Sequence, residues 1–123
     1  MINWAAFGAG VVGAFILGYI VYGPFLGLQR RWAEGTRINP EPPASPPLAP
    51  MAAQITALAL LALVIAMTET TQALNTALVA ILAVIAQTVS VGVWAQKSRF
   101  AVTVDAGYAL GCGVVMILAH AIL

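Results

Sequence analysis

Asp105, Tyr108 and Cys112 stand three and four residues apart inside a hydrophobic run. On a helix that spacing sets a carboxylate, a phenol and a thiol on one face. Tyr19 and Tyr22 repeat it in the first run of the chain, and Gln96 lies just before the last. An ionisable residue within a membrane span is a functional candidate by default. Tyr19, Tyr22, Asp105 and Tyr108 therefore form the candidate polar cluster, with Gln96 beside it. Two chemistries are open to it: structural hydrogen bonding between helices, or a polar vestibule for a solute. Asp105 itself either favours its helix N-terminus and meets Lys97 or Arg99 near the surface, or belongs to a buried polar site.

The remaining ionisable groups near the apolar runs are Glu69 and His120. Glu69 reads as a loop acid. His120 reads as an interfacial histidine, or as a ligand or proton relay. It follows Asp105 by fifteen residues, about 22 Å along a helix, too far for a dyad within one chain. No Ser-His-Asp set, metal-spaced His or Cys cluster, or phosphate-cradling glycine loop is present. The expectation is a chain with no catalytic residues, metal or cofactor, which acts other than as an enzyme.

Four apolar runs must position these groups. The chain has 123 residues, 62% hydrophobic and only 7% charged. Soluble domains are roughly 25% charged, so lipid must solvate most of this surface. Runs over about 4–28, 50–67, 72–94 and 100–123 contain no Lys or Arg. Each approaches or exceeds the length that spans about 30 Å of hydrocarbon. They are continuous rather than alternating, which favours helices over barrel strands. The expected fold is all-α: a polytopic membrane protein, one antiparallel four-transmembrane-helix bundle in a single membrane domain.

The linkers differ in kind. Thr68–Thr71 reads as a tight turn, with Thr70 or Thr71 an N-cap candidate; Ala95–Arg99 is another, with Ser98 as cap. Residues 29–49 read as a proline-rich loop. Asn39–Pro47 holds five prolines and should be an extended polyproline II spacer or a docking segment. Pro24 lacks an amide donor and should kink or end the first helix.

All five Lys and Arg residues lie in the first and third gaps: Arg30, Arg31, Arg37, Lys97 and Arg99. The positive-inside rule puts both gaps in the cytoplasm and both termini outside it. The expected location is the cytoplasmic (inner) membrane. Trp4 then marks the outer interface, and Tyr22, Trp32, Trp94 and Phe100 the inner one. The opening residues lack the positive n-region of a cleavable leader. The lone Cys112 excludes an intrachain disulfide.

Lipid offers no hydrophobic drive between helices, so close approach of small residues matters most. Ala6, Gly10, Ala14 and Gly18 make a stripe at four-residue spacing, and Gly107 and Gly111 form a G-x-x-x-G pair. Ala73, Ala77, Ala80, Ala83 and Ser90 line the third run. Gln54, Asn75 and Gln87 can each add an interhelical hydrogen bond of about 0.6 kcal/mol. The stripes serve the bundle, a second copy of the chain or a larger membrane complex. With a net charge of +1 and no basic stripe, nucleic acid is not an expected partner.

Asn3-Trp4, the string Tyr22-Gly23-Pro24-Phe25-Leu26-Gly27 with Trp32 beyond it, and Phe100 through Asp105-Ala106-Gly107-Tyr108 together resemble the small bacterial membrane proteins of domain-of-unknown-function family 1761. Val21 stands where the family pattern has Trp. The resemblance implies a four-helix membrane protein and brings no activity. It draws attention to Tyr22, Pro24, Asp105 and Tyr108. Small multidrug resistance transporters share the size and span count, but residues 5–29 hold none of their acid. The signatures of dimeric fluoride channels are missing, as are the intraspan Arg and Glu of glutathione-linked membrane enzymes. Two functions are therefore carried forward. The first is a non-enzymatic accessory or assembly subunit that packs through its small-residue faces. The second is a small oligomeric transporter or channel with a cytoplasmic-side vestibule around Asp105.

Overall fold

Asn3 starts the first helix by accepting the Ala6 amide on its side chain at 3.1 Å, an N-cap that satisfies one free donor. Helix α1 (Trp4–Tyr22) then runs for nineteen residues, rising about 28 Å, close to the hydrocarbon thickness. It stops earlier than residue 28. The Gly23 amide still reaches the Tyr19 carbonyl at 2.9 Å, but Pro24 has no amide to continue the ladder. Phe25 and Leu26 prolong the apolar run without prolonging the helix, and both are exposed.

The computed structural model describes residues 1–39, 41 and 44–123, and all of its regular structure is helical. After α1 come α2 (Gln29–Thr36), α3 (Leu48–Thr70), α4 (Leu74–Trp94) and α5 (Arg99–Ile122). All but α2 are long and apolar enough to cross a membrane. They alternate in direction as an antiparallel bundle, and the protein is membrane-embedded.

Helix α2 corrects the expectation of a loop throughout residues 29–49. It closes on Arg37 in the left-handed conformation (φ 66°), whose amide donates to Ala33 and Glu34 carbonyls. The Ile38 amide also returns to Ala33, at 3.0 Å. These bonds satisfy the last carbonyls of the helix. Ala33 is buried, and the Ser98 amide donates to the Gly35 carbonyl at 3.0 Å, tying α2 to the start of α5. A Cβ on Gly35 would overlap Ser98. The extended segment expected over 39–47 falls in part on Pro40, Pro42 and Pro43, which lie outside the described residues.

The turns also shift. Thr68, Glu69 and Thr70 remain helical, and α3 ends where Gln72 takes φ 56° and the Ala73 amide returns to Thr68 at 2.9 Å. The N-cap position of α4 is Ala73, without a side-chain cap bond, not Thr70 or Thr71. Ser98 caps α5 as its sequence position implies, accepting from the Ala101 amide at 3.1 Å.

Helix α5 is the centre of the bundle. Along α1, Gly10, Gly18 and Tyr22 meet Met116, Tyr108 and Asp105 in turn, an antiparallel register. A Cβ on Gly10 would lie 3.3 Å from the Met116 backbone. The stripe thus gives the two helices their close approach. The core gathers Ala14, Leu58, Ala62, Ile65, Ala77, Ile81, Cys112 and Met116. On α3 and α4 the buried residues cluster toward the short turn that joins them. Apart from Gly92, no residue of α4 beyond Ile81 is buried. The two helices therefore leave open space toward their other ends.

Candidate functional site

The described Lys and Arg side chains mark one end of the bundle, the basic end, and the open space lies there. Asp105, in the second turn of α5, faces inward with its side chain only 12% exposed. Each carboxylate oxygen is engaged. Oδ1 accepts from the Tyr22 hydroxyl at 2.6 Å and from Trp32 Nε1 at 2.8 Å. Oδ2 accepts from Lys97 Nζ at 2.8 Å. Four elements converge on one carboxylate: the end of α1, the middle of α2, the α4–α5 turn and α5. A partly buried carboxylate needs such partners, because an unpaired charge out of water costs several kcal/mol.

A second polar centre lies one turn further along. The Tyr108 hydroxyl donates to the Ala14 carbonyl at 3.0 Å and accepts from Gln54 Nε2 at 2.9 Å. Gly18 makes the room: a Cβ there would stand 2.8 Å from the Gln54 amide nitrogen and 2.9 Å from the tyrosine oxygen. The Tyr22 ring joins the two centres. It packs edge-on against Trp32 at 4.7 Å and against Tyr108 at 5.3 Å between centroids.

These groups border a cavity of about 330 Å³. Tyr22, Gln54, Lys97, Asp105, Tyr108 and Cys112 supply its polar side. Ala57, Leu61, Val84 and Ala109 supply apolar walls, with Thr88 on α4. Toward the far end it is stopped by the packed core around Leu58, Ile81 and Met116.

Tyr22, Asp105 and Tyr108 come together, as does Cys112. Tyr19 does not. It is 65% exposed and packs its ring on Phe25 at 5.4 Å. Three residues along a helix leave a rotation of about 60°, which turns Tyr22 inward and Tyr19 outward. Gln96 contributes only its carbonyl, to Arg37 at 2.7 Å. Of the two bases weighed for Asp105, Lys97 takes it and Arg99 does not. Ala6, Gly10, Ala14 and Gly18 are the buried residues of α1. The glycine pair of α5 divides: Gly111 lies under Leu17, whereas a Cβ on Gly107 would meet open space. Trp32 was legible only as an interfacial aromatic. Its indole N–H on Asp105 could be found only once α2 was known to fold back on α5.

A model of the family described as "Protein of unknown function (DUF1761)" matches residues 5–121. The chain belongs to that family. No curated protein and no solved structure matches it. The matched range takes in every residue of the site described above, from Ala14 to Cys112. It also includes His120 at the opposite end. That residue borders a second cavity of about 250 Å³ with Glu69 and Gln72. Its Nδ1 is buried without a partner among the described residues.

Proposed function

We propose that this protein is a small transporter or channel whose vestibule around Asp105 takes up a small solute. The observation that carries the reading is the coincidence of the 330 Å³ cavity with the Asp105 and Tyr108 hydrogen-bond centres. A cavity that is mostly apolar with a few convergent polar groups is the usual form of a small-molecule site. The accessory-subunit alternative drew its support from the small-residue stripe of α1. That stripe is used inside the chain against α3 and α5, which leaves less of it for a foreign partner.

The protein sits in the cytoplasmic membrane with its basic end in the cytoplasm, by the positive-inside rule. The vestibule is then a cytoplasm-facing one and the termini are outside. The exposed α5 face around Gly107 and Leu110 is where a second copy would pack in an oligomer.

The test is flux into proteoliposomes across a panel of radiolabelled small amines, acids and neutral solutes. Ala57→Trp places an indole in the vestibule wall; Ala52→Trp, at an exposed position about 140° around the helix from Ala57, is its control. Protein-dependent flux of at least one class, lost in Ala57→Trp and kept in Ala52→Trp, is expected. Absence of flux for every class, or flux indifferent to Ala57→Trp, contradicts the proposal.

A further inference from the structure

We propose that the Lys97 ammonium is a tethered stand-in for the ammonium group of an amphipathic organic cation, which displaces it from Asp105 and lays its apolar body in the vestibule. This rests on the vestibule reading above and names the ligand class.

The Asp105 carboxylate is divided in its partners. Oδ1 is held by two neutral donors that come from packed helices, Tyr22 and Trp32. Oδ2 is held by one cation, and that cation comes from a turn. Lys97 Nζ also lies 5.8 Å from the Trp32 ring centroid, within the roughly 6 Å over which an aromatic face attracts a cation. Carboxylate oxygen on one side and indole on another is a recognition site for an ammonium, already filled by the chain's own.

The occupant is suited to leave. It is carried on a flexible four-carbon stem, at 22% side-chain exposure, beside the end of the bundle that holds every Arg. A lysine there can swing its head into water while its stem stays on apolar surface. The turn itself is fixed by its backbone, through the Lys97 amide on the Gly92 carbonyl at 3.0 Å, so only the side chain has to move.

Charge selects the class of ligand. An anion would face the Asp105 carboxylate once Lys97 moved away. A neutral solute would leave that carboxylate without a counter-ion in a poorly solvated place. An incoming ammonium exchanges one cation for another, so the ion pair is preserved. Burial of the ligand's apolar body against Ala57, Leu61 and Val84 is then the net gain. The site takes a primary ammonium attached to a compact apolar group.

The probe is phenethylammonium, with phenethyl alcohol as the neutral control, titrated calorimetrically onto the full chain in nanodiscs. Saturable binding of the amine and not the alcohol is expected. Lys97→Met should tighten it by about tenfold or more, and Asp105→Asn should abolish it. Should Lys97→Met fold poorly, the amine should raise its Tm more than that of the wild-type protein. Lys97→Arg, whose planar guanidinium holds a carboxylate through two bonds, should weaken binding. Equal binding of the alcohol, or an affinity unchanged by Lys97→Met, overturns the proposal. If neutral or acidic solutes show Ala57→Trp-sensitive flux and the amine does not bind, the ligand class is wrong and the vestibule reading stands. If no solute class moves and no amine binds, both fail.

Discussion

Gly18 on α1 faces Tyr108 on α5 so closely that a Cβ at Gly18 would stand 2.9 Å from the tyrosine hydroxyl. The absent side chain is what lets that hydroxyl reach the Ala14 carbonyl one turn away. Gly18→Ala should therefore push Tyr108 off both Ala14 and Gln54 and leave part-buried polar groups unpaired. A loss of about 1–3 kcal/mol is expected, read by reversible unfolding in mixed micelles. Gly8→Ala is the control: its Cβ would meet nothing within 4 Å, so it should be neutral or slightly stabilising. Equal effects at the two glycines would contradict the account of the α1–α5 contact.

Trp32→Phe keeps the ring against Tyr22 and removes the indole donor to Asp105 Oδ1. Helix α2 has only eight residues, too few to hold by propensity, so its docking bonds matter. Amide hydrogen exchange over 29–36 should speed up markedly, while the centre of α5 changes little. Trp94→Phe, at an 85% exposed position, should leave exchange in α2 unchanged.

Lys97 and Asp105 form one coupled unit. Lys97→Met leaves a poorly exposed carboxylate without its cation, and for this part-buried pair the loss should be about 1–3 kcal/mol, below that of a fully buried one. Lys97→Met with Asp105→Asn removes both charges and should recover a large part of that loss. A double variant as unstable as the sum of the two singles would mean that the 2.8 Å contact carries no coupling.

The four spans were legible because long apolar runs without Lys or Arg, with every Lys and Arg in two of the gaps between them, suit a chain solvated by lipid and little else. The heart of the site was legible for a related reason: Asp105 is the one acid well inside the described spans, and Tyr108 and Cys112 share its face. The misreadings have local causes. Hydropathy continues through Phe25 and Leu26, so it overran the stop that Pro24 imposes on α1. Helix α2 is short and rich in Arg, and its polar sequence read as loop. Its place is set by tertiary bonds, from the Ser98 amide to Gly35 and from Trp32 to Asp105, which no local pattern encodes. Tyr19 and Tyr22 are three residues apart, a spacing that puts two residues near one face without deciding which of them turns inward.

Thr88→Cys offers the most direct test of the vestibule, since Thr88 borders the cavity, and Cys112→Ala removes the single native cysteine, whose side chain is buried in the core. The measurement is the labelling rate of the Thr88→Cys thiol by a small, membrane-impermeant thiol reagent, applied to sealed vesicles of either orientation. Access through the basic end predicts labelling when the cytoplasmic face is outside, slowed about tenfold or more by Ala57→Trp and unaffected by Ala52→Trp. A Thr88→Cys thiol that stays unreactive from both faces until the protein is unfolded, or reacts at a rate indifferent to Ala57→Trp, would contradict a solute-accessible vestibule.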